Sequence, residues 1–85
     1  MSYQLIQLAS GSYDILLDDR IIGSAVRGGT RNAPVWIAEL LDDSPSEQRP
    51  APFTMVEHAF GSFEDLCVWL GSPQVNPIQH DQVVL

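Results

Sequence analysis

The chain has 85 residues, with 11 Asp or Glu against 4 Arg and no Lys, a formal net charge of −7, and 45% hydrophobic against 18% charged residues. That length makes one domain, which buries only about 60–65% of the surface its unfolded chain exposes, and the apolar content excludes a chain disordered throughout. The lone Cys67 excludes an internal disulfide, no apolar run approaches the roughly 18 residues of a membrane span, and the N-terminal Met-Ser-Tyr-Gln lacks the features of a signal peptide, so the cytoplasm is the expected compartment.

In chain order, Tyr3 to Leu8 alternates apolar and polar residues and is punctuated by Ala9-Ser10-Gly11-Ser12, which predicts a short strand ending in a turn. Tyr13 to Leu17 puts Tyr13, Ile15 and Leu17 on one face and Asp14 and Leu16 on the other, the period of a half-buried strand. Asp18-Asp19-Arg20 supplies a tight turn, and Ile21 to Arg27 is the returning strand. Gly28 to Pro34 reads as a loop, because paired glycines are entropically unfavourable in regular elements and proline lacks a ladder donor. Val35 to Leu41 is the third hairpin strand, with Trp36, Ala38 and Leu40 on one face and Val35, Ile37, Glu39 and Leu41 on the other; two apolar faces predict a central strand.

Asp42 to Pro52, with three acids and three prolines, predicts an exposed, mobile loop. Phe53 to Ala59 is expected as an edge strand, since Thr54, Met55, Val56 and Glu57 suit a pleated surface. A helix over 63–70 follows: Ser62 is the N-cap, Glu64 and Asp65 lie in the first turn where the macrodipole favours negative charge, and Gly71 and Pro73 close it. Phe63, Leu66, Cys67 and Leu70, widened by Trp69, form an apolar stripe expected to pack on Trp36, Ala38 and Leu40. The tail from Ser72 to Leu85 is either frayed or ends in a short strand. The expected fold is α+β: an antiparallel sheet of three to five strands, ordered β-β-β then helix, with the short C-terminal helix on one face, in a single domain over 1–71 followed by a flexible tail over 72–85.

No catalytic or metal signature emerges, so no cofactor and no enzyme activity are expected. His58 and His80 stand 22 residues apart with only one cysteine between them, which is not zinc spacing. Asp18-Asp19 and Asp42-Asp43 lack the alternating acids, glycine and terminal glutamate of a calcium loop. The serines at 10, 12 and 62 lack a nucleophile-elbow context and suit turns and a cap. Cys67 on the apolar stripe packs as a small hydrophobe.

Charge distribution is more informative. Residues 1–41 carry a net −1, from Asp14, Asp18, Asp19 and Glu39 against Arg20, Arg27 and Arg31, and the remaining 44 carry −6. Asp42, Asp43, Glu47, Glu57, Glu64 and Asp65 are the candidate partner-binding residues; converged on one surface, they would meet a basic groove on another protein. The plainer reading of the same charge is a solvated face that only aids solubility. Arg27-Gly28-Gly29-Thr30-Arg31-Asn32 is the nearest approach to an anion-binding loop, with Arg20 as a third candidate cation.

At Trp36-Ile37-Ala38 and Phe60-Gly61-Ser62-Phe63-Glu64-Asp65-Leu66-Cys67-Val68-Trp69-Leu70 the chain resembles the AP2-like and integrase arm-binding modules, over roughly residues 13–71. Their pattern is a tryptophan in the third strand, then an aromatic, a helix cap and an apolar helix ending in an aromatic. The resemblance implies a three-stranded sheet plus helix and DNA binding through a basic sheet face, for which only Arg20, Arg27 and Arg31 are available. This chain departs from that pattern in having no lysine and a charge of −7. The first expectation is therefore a non-enzymatic protein-binding module, an inhibitor of the kind encoded by phages and mobile elements. Like anti-CRISPR and anti-restriction proteins, it would act as a DNA mimic that occupies a basic partner's nucleic-acid site. The alternative is a DNA-binding accessory domain. Homodimerisation through an uncovered sheet edge is a further expectation.

Overall fold

The computed structural model describes residues 2–41 and 48–78. Four strands follow one another through tight turns: β1 (Tyr3–Ala9), β2 (Ser12–Leu17), β3 (Arg20–Gly29) and β4 (Pro34–Leu40). After the intervening segment come β5 (Glu57–Phe60), helix α1 (Phe63–Trp69) and β6 (Gln74–Asn76). The six strands form one mixed sheet in the order β5-β4-β3-β2-β1-β6. All neighbours are antiparallel except β6, which runs parallel to β1 with Leu5 opposite Val75. The architecture is thus α+β as expected, with a sheet larger than the expected three to five strands.

Turn chemistry explains the meander. Asp18 and Asp19 both adopt left-handed backbone, φ 51° and 70°, the conformation whose twist suits a two-residue hairpin and which Asp tolerates better than most residues. Between β3 and β4, Gly29 has φ 79°, and Thr30 and Ala33 exchange backbone hydrogen bonds at 3.2 Å. The loop expected over 28–34 is correspondingly shorter, because Gly28 and Gly29 pair with Val35 and Pro34 at the end of the ladder. Two pairing partners override the intrinsic reluctance of glycine.

The segment over 53–59 departs most from expectation. Only Glu57–Phe60 is strand. Phe53 is turned into the core at 4% exposure, and the imidazole Nε2 of His58 accepts hydrogen bonds from the backbone N–H groups of Thr54 (3.2 Å) and Met55 (3.1 Å). These bonds fold 54–56 into bends where propensity favoured extension. Of the loop expected over 42–52, residues 42–47 lie outside the described residues. Its end packs down: Ala51 accepts a 2.6 Å hydrogen bond from the Tyr3 hydroxyl, and Arg49 donates to the Thr54 carbonyl at 3.0 Å.

Helix α1 begins as expected, with the Ser62 hydroxyl accepting from the Asp65 N–H at 3.0 Å. It ends in a Schellman arrangement: Ser72 N–H donates to the Cys67 carbonyl (2.8 Å) and Gly71 N–H to that of Val68 (3.0 Å), with Gly71 at φ 89°. The reversal sends the chain into β6, so the sheet takes in Gln74–Asn76 and the folded unit passes the boundary expected at residue 71.

Seven helical residues span only about 10 Å, so the helix alone cannot cover the sheet. The core joins Leu5, Ile15, Ala25, Ala38 and Leu40 of the sheet to Leu66 and Leu70 of the helix and to Phe53 of the preceding loop. Aromatic rings close both ends. Tyr13 stacks on Phe63 at 4.6 Å and Trp36 tilts on Phe63 at 4.8 Å, while Trp69 meets Phe53, His58 and Phe60 at 4.7–5.0 Å. Opposite Leu40 in the ladder, Gly23 admits the close approach of β3 to β4. It follows the irregularity in the β2–β3 pairing that leaves Ile22 without a partner in β2, and a Cβ there would run into the Glu39 carbonyl.

Candidate functional site

Helix α1 and the loop before it cover one face of the sheet. The strand period then assigns the other face residue by residue. In β2, Tyr13 and Ile15 point to the helix, so Asp14 and Leu16 point away; in β4, buried Ala38 and Leu40 leave Ile37 and Glu39 on the far side; in β5, His58 and Phe60 meet Trp69, which leaves Glu57 and Ala59 there. Register lines these up. Ile6, Asp14, Ser24, Glu39 and Glu57 are successive partners across β1 to β5. Beside this row runs an aliphatic one, Val26, Ile37 and Ala59, and on its other side Leu16 pairs with Ile21.

Three carboxylates therefore share one cross-strand row between aliphatic rows on a face that no described element covers. Val26 is 42% exposed and Ile21 53%. Glu39 and Glu57 stand closest. The Leu40 N–H donates to the Val56 carbonyl at 2.8 Å, which makes the directly opposed residues 40 and 56 a hydrogen-bonded pair and the next pair, Glu39 and Glu57, a non-hydrogen-bonded one. Such pairs hold their Cα atoms only about 4.5 Å apart with side chains adjacent. Like charges so placed are destabilising. No strand arginine offsets them, since Arg20 pairs with Leu17 and Arg27 with Trp36, both on the helix-side face, and Arg31 sits in the β3–β4 turn.

The candidate acids are therefore divided. Glu57 belongs to the uncovered face, whereas Glu64 and Asp65 lie on the helix, on the opposite side of the sheet, where they occupy its first turn. Asp42, Asp43 and Glu47 lie outside the described residues. Among the described candidates there is no single acidic surface, because one sheet stands between them. Asp14 and Glu39, from the nearly neutral half of the chain, were not among the candidates and are the residues that Glu57 joins. Strand parity already set each on the face away from the buried residues of its strand, Asp14 with Leu16 and Glu39 with Ile37, but only register brings them into one row. The candidate cations do not converge either. Arg20 and Arg27 stand at opposite ends of β3, about 23 Å apart along the strand.

Other chemistry is sparse. Burial and, second, the Glu64 charge push the Cys67 thiol up, which disfavours the nucleophilic thiolate. Burial likewise raises Tyr3. Among the described residues no three His, Cys, Asp or Glu side chains group as a metal site, and no helix is long and apolar enough to cross a membrane. No family model, curated protein or solved structure matches the chain.

Proposed function

We propose that this protein is a small acidic, non-enzymatic protein-binding module that docks a basic partner on its uncovered sheet face. The observation that carries the reading is the row of Asp14, Glu39 and Glu57 set between aliphatic rows. Aliphatic side chains exposed on an uncovered face supply apolar area for a partner, and carboxylates within such a surface favour Lys or Arg and reject acidic competitors. The presence of two glutamates in an unfavourable close pair supports a role outside folding, since local conflicts of this kind concentrate at functional sites. In its fuller form the proposal is that of an inhibitor: a basic surface that handles nucleic acid is occluded by carboxylates standing in for phosphates.

Affinity capture from the source cell, repeated with charge reversals, tests the site. Glu39→Lys with Glu57→Lys should lower capture of a basic partner at least tenfold, and Glu64→Lys with Asp65→Lys, on the other layer, should leave it unchanged. The opposite result would move the site to the helix. Duplex DNA added in excess should compete for the captured partner, and capture indifferent to DNA would refute the inhibitor form while leaving the module.

The competing reading, a DNA-binding accessory domain using Arg20, Arg27 and Arg31, has less support, because those arginines are dispersed and the uncovered face is acidic. A mobility shift of random duplex that weakens with salt would revive it.

A further inference from the structure

We infer that the outer edge of β5 accepts an added strand from the partner, an extended segment in which Lys or Arg alternates with apolar residues. The inference rests on the protein-binding reading above and names the element that makes contact. Among the described residues, β5 pairs with β4 on one side only. The phase of that pairing follows from the Leu40–Val56 hydrogen bond: His58 and Phe60 turn their backbone groups inward to β4, and Glu57 and Ala59 turn their N–H and C=O outward. Both residues are exposed. The β4–β5 register is unbroken over its four pairs, so no bulge twists the edge away from a new strand.

The two sheet edges differ in protection. Strand β6, at the far edge, is three residues long and bracketed by Pro73 and Pro77, a common defence against strand addition. Strand β5 has no proline and no lysine. Its one charge, Glu57, already opposes Glu39. A strand added outside β5 would set a side chain beside Glu57 on the uncovered face; a basic residue there relieves the repulsion between the glutamates, and an acidic one aggravates it. Alternate residues of the same strand would lie beside Phe60 and His58 on the helix-side face, where apolar side chains suit. Main-chain bonds thus supply attachment and the alternation supplies selectivity.

The test uses the whole chain and a blocked hexapeptide of alternating lysine and valine, followed by NMR titration. Saturation should shift the amide resonances of Glu57 and Ala59 and slow their exchange with solvent. Ala59→Pro removes an outward-facing donor and leaves the β4 ladder intact, and it should weaken binding at least tenfold. Should that variant fail to fold, the same peptide with alternate amides N-methylated gives the equivalent measurement on the unaltered protein. Equal binding of the methylated peptide, or no binding with Kd of about 1 mM or tighter by either peptide, overturns the inference. Resonance shifts at Val26 and Ile37 with none at Ala59 also overturn it. That last outcome leaves the uncovered-face proposal standing, and loss of capture with Glu39→Lys and Glu57→Lys tests that proposal separately.

Discussion

The two faces of this sheet are built from the same strands by the same alternation, yet they differ in composition and cover. On the helix side, every strand from β1 to β4 contributes a buried apolar residue and the gaps are closed by aromatic rings from the helix and loop. On the other side, residues from the same strands place aliphatics around carboxylates, and nothing described covers them. One face is satisfied within the chain. The other is composed like the margin of a core without its second half, with charges no core would keep unpaired.

The comparison predicts an ordered set of mutational effects. Leu66→Ala on the helix side should be the most damaging, because Leu66 is fully buried between helix and sheet; truncations of this kind lose about 2–5 kcal/mol, measurable by chemical denaturation. Val26→Ala, its counterpart on the uncovered face, should lose less than about 1 kcal/mol, since 42% exposure leaves little packing to forfeit. Equal losses would mean that the uncovered face is packed against something within the chain. Between these two in size, Gly23→Ala should destabilise by about 1–3 kcal/mol by forcing β3 from β4.

Ser62→Ala removes the acceptor for the Asp65 N–H and should lose about 1 kcal/mol. Glu39→Lys carries the opposite sign. By replacing a like-charged cross-strand pair with an attractive one it should stabilise the isolated protein by about 0.2–1 kcal/mol, seen as a higher denaturation midpoint, even as it weakens partner capture. A variant both less stable and unable to bind would remove the argument that Glu39 serves binding at the expense of stability.

A further effect is one of pH. Burial raises Tyr3 above the ordinary range of a tyrosine, so the neutral phenol favours the folded state; that contribution is fully present below the unfolded-state value and is lost as pH rises through the folded one. Cys67, raised in the same direction, adds a loss of the same sign at alkaline pH. Tyr3→Phe should therefore flatten the alkaline decline in stability without abolishing it. It should also lose the hydrogen bond to Ala51, worth about 0.5–1.5 kcal/mol.

Legibility followed the range of the interactions. The first four strands, the Asp18-Asp19 turn and the cap at Ser62 were readable because their causes are local: alternation, turn conformation and a side chain bonding three residues ahead. The strand expected from Phe53 was placed too early, because a histidine acceptor and the buried site for Phe53 outweighed β propensity. Strand β6 was not foreseen, since three residues pairing with β1 carry almost no periodic signal; the short strand expected at the end of the tail lies outside the described residues. The three-stranded sheet that the resemblance implies differs from the sheet of this chain, which has six strands and places β5 between the tryptophan-bearing strand and the helix.

The candidate site shows the same division. Sequence alone determined that the chain is acidic, that its acids gather in the later half, that its early strands alternate and where its helix starts, since composition, period and capping all act within a few residues. Only the tertiary structure decided which acids are neighbours. Glu57 and Glu64 are seven positions apart yet lie on opposite sides of a sheet, while Asp14, Glu39 and Glu57 share one row across four strands. The physical reason is that strand parity selects a face but pairing register selects the neighbour, and register is set by which residues the helix, the turns and Gly23 allow to lie side by side.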